Sequence, residues 1–471
     1  METDAAAPDA ELARGLAEIA WRDSRPVDSR LHLLDGGPAP QLLVVNGTRL
    51  YHLSAPAAGR VRAAMDAKDS VGLEQMLIEL GLDAPAAIDD RPLQNPPTHA
   101  LSLAVAQKCN LGCTYCYAQH GTFGGAAKAM SGETARRSVD LLLNGHPPGS
   151  RVTLAFLGGE PLANRRVVRD ATCYAVERDL RQGVAVQFSI TTNGTLLTED
   201  DAEFFEEHGF AVTISLDGCR EEHDRLRPFR DGSGSYDRIL ARARPLLDRQ
   251  RRMQVSARVT VTPINLNLSA TLDELIGLGF HSVGFSPLLR SPSGLEEMDA
   301  TQLARMLENL IACGLAFERR LLRGERYPFL NMVNALRELH RGTHRPYPCG
   351  AGAGYFGVSA DGGLAACHRF VDDPDGVMGD LATGVDRTRQ NTWIAERHVH
   401  FQDPCKSCWA RYLCGGGCHH EVLARGRPAC DFIRGWLHYT IQAYGRLVRL
   451  TPDYFEGGTT PSRSPLESTT P

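Results

Sequence analysis

Three cysteines, Cys109, Cys113 and Cys116, fall within eight residues of one another in the stretch QKCNLGCTYCYAQHGTFGG (107–125). Thiolates are soft ligands suited to zinc or to iron–sulfur clusters. A structural zinc site takes four protein ligands, usually with cysteines paired as C-x2-C, whereas the spacing here is C-x3-C-x2-C. A 4Fe–4S cube usually takes four cysteines. Three in one loop leave one iron open to a small-molecule ligand; zinc completed by a distant residue is the alternative that the spacing leaves standing. Seven of the thirteen cysteines lie far downstream, at Cys349, Cys367, Cys405, Cys408, Cys414, Cys418 and Cys430. Taken alone, CKSCWARYLCGGGC (405–418) reads as a zinc site. Cys173 and Cys313 sit in helical patterns as ordinary buried thiols, and Cys219 follows a strand end.

At 471 residues the chain is long enough for two or three domains. Its net charge of −5 and lack of a dense basic run give no support to a nucleic-acid partner. No stretch of 18 apolar residues marks a membrane span, and the start METDAAAPDAELARG lacks the basic and apolar regions of a signal peptide. The expected location is therefore cytoplasmic, where thiols stay reduced and clustered cysteines point to metal.

The elements that must carry these residues are legible. QLLVVNGTRLYHLS (41–54) reads as a hairpin around Asn46-Gly47, and two helical patterns follow it. From 100 to about 321, strand patterns (ALSLAVAQ, RVTLAFLGG, VAVQFSITTNG, AVTISLDG, QVSARVTVT, SVGFSPLL) alternate with helical ones. Thr198 and Asp201 form a capping pair, and Gly145, Gly183, Gly209 and Gly279 stand where helices close. Six β-α units predict a parallel sheet, open or curled into part of a barrel. Ligands of such sheets bind at the C-terminal strand ends, and the three-cysteine loop follows the first strand. The expected divisions are a loose lead at 1–40, a small module at 41–83, a linker at 84–99, the α/β core at 100–321, a metal-stapled region at 345–440 and a disordered tail at 456–471.

The loop, with Tyr115 before its last cysteine and Tyr117 after it, resembles that of the radical S-adenosylmethionine (SAM) enzymes. The resemblance implies a partial (β/α)6 TIM-like barrel, with SAM chelating the fourth iron of a 4Fe–4S cluster held by Cys109, Cys113 and Cys116. Reductive cleavage of SAM then releases a deoxyadenosyl radical that abstracts hydrogen. By the same resemblance LGGEP supplies Gly158, Gly159 and Glu160 for the SAM ammonium, TTNGTLL supplies Asn193, and ISLDG supplies Ser215. Two glycines let backbone approach closely, and a carboxylate balances a cation. Arg227 is a candidate SAM or substrate contact, and Asp217 is expected to face the cavity and take a substrate proton.

The downstream pattern C-x12-G-x4-C, C-x2-C-x5-C-x3-C, C resembles the SPASM extension of peptide-modifying radical SAM enzymes. This implies two auxiliary 4Fe–4S clusters, the first on Cys349, Cys367 and Cys418, the second on Cys405, Cys408, Cys414 and Cys430. Relatives that oxidise a serine or cysteine of sulfatases carry Asp after the residue matching Cys367; here it is His368, a candidate proton acceptor.

The module at 41–83 looks similar to PqqD-like leader-recognition domains, which add a peptide strand to a sheet edge. With the layout as a whole most like that of cyclophane- and thioether-forming maturases, the expected partners are a precursor peptide with its leader and a flavodoxin- or ferredoxin-like electron donor. Formylglycine formation in a sulfatase and a non-catalytic cluster carrier are the alternatives; the strand-end set speaks against the carrier.

Overall fold

The computed structural model describes residues 6–35, 39–83 and 90–456. The chain begins with helix α1 (Ala6–Asp23), then strands β1 (Leu31–Leu34), β2 (Gln41–Val44) and β3 (Arg49–His52), and helices α2 (Ala55–Asp66) and α3 (Ser70–Glu79). The three strands form an antiparallel sheet in sequence order, with Gly47 at φ 85° in the β2–β3 turn. Period-two alternation gives that sheet two apolar faces. Leu31, Leu33 and Leu42 pack on Val61, Met65 and Leu73 of the helices. Leu34, Leu43 and Val45 pack on Trp409, Tyr412 and Ile441.

The expected loose lead at 1–40 is corrected here, because α1 and β1 are both ordered parts of the core. Ala13, Ala17 and Ala20 line one buried stripe of α1, and such small side chains allow close packing against two later helices. The expected linker is corrected too where it is described. Asp90 accepts hydrogen bonds from His344 and Tyr412, both at 2.6 Å, and the Asn95 N–H donates to Asn391 at 2.9 Å.

The core runs β4 (Ala100–Gln107), the short β5 (Lys128–Ala129), α4 (Gly132–Leu143), β6 (Arg151–Gly158), α5 (Arg165–Gln182), β7 (Ala185–Thr192), α6 (Glu199–Glu207) and β8 (Ala211–Ser215). It continues through α7 (Arg220–Leu226), α8 (Tyr236–Leu247), β9 (Gln254–Val261), α9 (Leu268–Gly277), β10 (Ser282–Pro287) and α10 (Ala300–Leu322). Strands β4-β6-β7-β8-β9-β10 lie side by side in that order, all parallel. This is the α/β fold expected from the alternation, an open (β/α)6 sheet. Leu103, Phe156, Ile190, Val212 and Val259 face the helices and are buried. The other face carries small polar side chains, among them Ser102, Ser189, Thr213, Ser215 and Ser256 in register across the strands.

After α11 (Leu330–His340) come β11 (Tyr355–Val358), β12 (Gly363–Ala365), β13 (Val377–Asp380), β14 (Gly384–Val385) and α12 (Arg387–Arg397). Helices α13 (Arg411–Cys414), α14 (His419–Arg425), α15 (Cys430–Leu450) and α16 (Pro452–Glu456) complete the described chain. β11 pairs parallel to β4 on the edge away from β6, and β12 to β14 extend the same sheet antiparallel. The cysteine-rich region is thus continuous with the core sheet. Its expected end at 440 cuts through α15, whose Tyr439, Ala443 and Leu447 belong to the main core. The expected tail beyond Glu456 lies outside the described residues. Among the described residues no helix is long and apolar enough to cross a membrane.

Candidate functional site

The loop after β4 carries Cys109, Cys113 and Cys116 within electrostatic reach of one another. It is stitched to the segment after α7: the Gly112 N–H donates to Pro228 O at 2.8 Å, and the Thr114 N–H to Leu226 O at 3.1 Å. Beneath it lies a buried polar knot. The Tyr115 hydroxyl donates to Asp217 Oδ2, Arg227 donates to the Tyr115 oxygen at 2.7 Å and to Asp217 at 3.4 Å, and the Thr260 N–H donates to Asp217 Oδ1 at 2.7 Å. Burial pushes the Asp217 pKa up, and Arg227, Tyr115 and Thr260 oppose that rise.

Asp217 is fully buried, with donors on both oxygens. The expectation that it faces the cavity and takes a substrate proton is therefore corrected. Its place is behind the cysteine loop, where it anchors Tyr115 and Arg227. Burial pushes the Cys113 thiol up to about 12, and Arg227 is the neighbour that pulls it back.

The glycines after β6 act through backbone packing. A Cβ on Gly158 would run into the Ala106 carbonyl, and one on Gly159 into the Lys108 carbonyl and Gly121. This close approach lets the Gly159 N–H donate to Ala106 O at 2.7 Å and the Glu160 N–H to Lys108 O at 2.9 Å. Glu160 is buried and accepts from the Asn193 N–H (2.7 Å), the Thr192 hydroxyl (2.7 Å) and the Leu162 N–H (3.0 Å). A carboxylate has about four lone-pair sites, so three donors leave room for one cationic contact. The Asn193 side chain donates to Asn110 Oδ1 at 3.0 Å and to Cys109 Sγ at 3.6 Å, joining the third strand end to the loop. Ser215 ends β8 half-buried on the polar face, paired in register with Arg258.

Downstream, Cys367 lies within electrostatic reach of Cys349 and Cys418. Cys405, Cys408, Cys414 and Cys430 are grouped likewise. Burial pushes the Cys367 thiol up to about 12 and the Cys405 thiol to about 11. The second group rings a cavity of about 80 Å³ lined also by Arg427 and Arg434. Cys173 and Cys219 are exposed and Cys313 is buried, all apart from these groups.

Sequence reasoning missed what joins the first group to the loop. His368 Nδ1 shares a hydrogen bond of 2.8 Å with the Tyr355 hydroxyl, which shares another of 2.8 Å with Ser102 on β4. Burial, then Arg369 and His420, hold the His368 pKa down at about 3, so the imidazole is neutral at physiological pH. The Tyr117 ring stands edge-on to His368 at 5.9 Å. Tyr355 and Ser102 become partners only through the β4–β11 pairing, which no local pattern announces.

The donor set can be tested against the groups it would hold. Thiols buried to this degree are costly as isolated thiolates, and iron supplies the missing positive charge. Among the described residues no three His, Cys, Asp or Glu side chains are grouped as a single metal ion would need. The seated sets of three and four cysteines, with cations beside them, fit iron–sulfur clusters. The buried Glu160 with its remaining acceptor site, beside the three-cysteine loop, fits the amino group of SAM.

Residues 103–286 match the family model described as the radical SAM superfamily. A serine-type anaerobic sulfatase-maturating enzyme of Klebsiella aerogenes is 25% identical over 346 residues, covering 71% of this chain and 83% of that protein. The solved structure of anSMEcpe with bound AdoMet and Kp18Cys peptide superposes with a TM-score of 0.63 at 21% identity, covering 76% of this chain and 100% of that one. SuiB of Streptococcus suis bound to S-adenosylmethionine gives a TM-score of 0.50 at 14% identity, covering 83% and 94%. With the parallel sheet, the three-cysteine loop and the cysteine-rich extension in place, residues 103–286 are a radical SAM domain, and the chain is an enzyme of the SPASM-type maturase kind working with SAM and 4Fe–4S clusters.

Proposed function

We propose that the enzyme modifies a ribosomally made precursor peptide, joining two of its side chains through a carbon–carbon (cyclophane) or thioether bond. The observation that carries this reading is the edge of the N-terminal sheet. Among the described residues β3 pairs with β2 alone, and the Leu53 N–H donates to Pro40 O. Bonded pairs alternate along an antiparallel ladder, so the N–H and C=O groups of Leu50 and His52 turn outward. A leader peptide can add there as a fourth strand. The module also touches the second cysteine group: His32 stacks on Trp409 at 3.7 Å, and Trp409 stands next to Cys408.

When bound, SAM and the cluster at Cys109, Cys113 and Cys116 supply hydrogen-atom abstraction from the substrate. The chain's own part is to hold and to exclude. Tyr115, Asp217 and Arg227 fix the loop from behind, Glu160 offers its acceptor site to the SAM ammonium, and Asn193 and Ser215 border the same space. Tyr117 walls the side toward the first auxiliary group. His368 is held as a neutral ring, with its Nδ1 hydrogen-bonded to Tyr355. A flavodoxin- or ferredoxin-like donor supplies electrons, and thirteen unpaired thiols fit a cytoplasmic location.

Leu50→Pro tests the reading, because it deletes an outward N–H without breaking the internal ladder. Peptide affinity should fall at least tenfold while peptide-independent SAM cleavage stays at the wild-type rate. Unchanged affinity would sink the strand-addition argument. The sulfatase-maturating relative favours a second reading, formylglycine formation, against which stands His368 in place of the expected Asp. A cross-link and oxidation of a serine each remove two hydrogens, so mass alone does not separate them. An aldehyde-reactive hydrazide labels only the formylglycine product.

A further inference from the structure

One cation joins the two thiol environments of the core and the extension. The backbone N–H of Arg369 donates to Cys367 Sγ at 3.4 Å, and its guanidinium donates to Cys418 Sγ at 3.9 Å. The same guanidinium lies 5.3 Å from the centre of the Tyr117 ring, next in sequence to Cys116. Glu421 accepts from it at 2.7 Å. A single residue thus touches two of the three thiols of the first auxiliary group and the aromatic wall of the SAM-side loop. An arginine in such company stays protonated at any working pH.

Reducing an iron–sulfur cluster adds one negative charge. Hydrogen bonds to the sulfurs and net charge nearby set how easily that happens. A guanidinium held against the thiolates favours the reduced state, and a carboxylate bound to that guanidinium opposes it.

We propose that Arg369 sets the reduction potential of the first auxiliary cluster, with Glu421 trimming its effect and the Tyr117 ring holding the guanidinium beside the SAM-side loop. The inference rests on the reading that Cys349, Cys367 and Cys418 hold that cluster. It names Arg369 as a positioning and electrostatic residue for the electron that must leave the substrate, since either cross-linked product forms with loss of one further electron.

The test is a redox titration of the full-length, anaerobically reconstituted enzyme, followed by electron paramagnetic resonance. A Cys109→Ala, Cys113→Ala, Cys116→Ala background silences the SAM-site cluster. Arg369→Gln should disfavour reduction of the first auxiliary cluster at least tenfold, a downward shift of about 59 mV for a one-electron couple. Glu421→Gln should move it upward, and Arg369→Lys should fall between Arg369→Gln and the parent. Should Arg369→Gln lose iron, Glu421→Gln decides alone: an upward shift supports the proposal and an unmoved potential overturns it. Potentials unchanged in both glutamine variants at full iron content overturn the role of Arg369 and leave the ligand reading intact. Full iron retention in a Cys349→Ala, Cys367→Ala variant overturns the ligand reading, and the inference with it.

Discussion

The phenol of Tyr115 donates a hydrogen bond to the carboxylate of Asp217, 102 residues further along the chain and fully buried. This bond ties the cysteine loop to the segment after the fourth core strand. Tyr115→Phe leaves Asp217 Oδ2 with Arg227 at 3.4 Å, and leaves Arg227 without its 2.7 Å acceptor. Unsatisfied buried partners cost about 1–3 kcal/mol. The variant should melt several degrees lower in calorimetry and lose iron from the loop faster under chelator challenge.

Cys113→Ala removes one of three thiols from the SAM-side loop. Three four-iron cubes give about twelve irons per chain, and the variant should retain about eight. Deoxyadenosine formation should cease, as read by chromatography. Formation at the wild-type rate would show that the loop is not where SAM is cleaved.

Gly159→Ala places a methyl group against the Lys108 carbonyl and Gly121, all backbone atoms that no rotamer change can move aside. Overpacking of this kind costs about 1–3 kcal/mol. It should also pull Glu160 away from the loop, because the Glu160 N–H to Lys108 O bond spans the same contact. Isothermal titration should show weakened SAM binding in any fraction that folds.

Buried neutral histidines make the enzyme acid-sensitive. Burial and Arg227 hold His223 at about 3, and burial holds His438 at about 4, with Asp23 and Asp35 opposing and Arg62 reinforcing the shift. Both values lie below the ordinary 6.5, so the stability they represent is complete above pH 6.5 and is lost as pH falls toward 4 and 3. Each contributes a slope of about 1.4 kcal/mol per pH unit in that window. Thermal unfolding from pH 7.5 down to 5 should show the decline, and His438→Gln should flatten it.

The six parallel strands were legible because short apolar, β-prone runs alternate with helical patterns that glycines close. The capping box of Thr198 and Asp201 is present as read. Helix α1 escaped because its buried stripe is alanine, which carries little hydrophobic signal. β11 to β13 are three or four residues each, too short for periodicity to speak. At the site, sequence supplied residue types but not surroundings. Asp217 at a strand end read as a cavity acid, yet Tyr115, Arg227 and Thr260, from three other segments, enclose it. Gly158 and Gly159 read as openings for a ligand, while their packing against Ala106 and Lys108 is non-local.

β4 is hydrogen-bonded on both flanks, to β6 and to β11, over Ala100–Leu103. The loop that follows it and the turn bearing His368 and Arg369 therefore ride on one ladder. Strands shift register only in discrete steps, and keeping the same face toward the core requires two residues, about 6.6 Å. The β4–β11 register accordingly fixes which strands carry the SAM-side loop and the turn bearing His368 and Arg369. A charge substitution beside that ladder therefore changes the electrostatics of both loops at once, without changing which strands carry them.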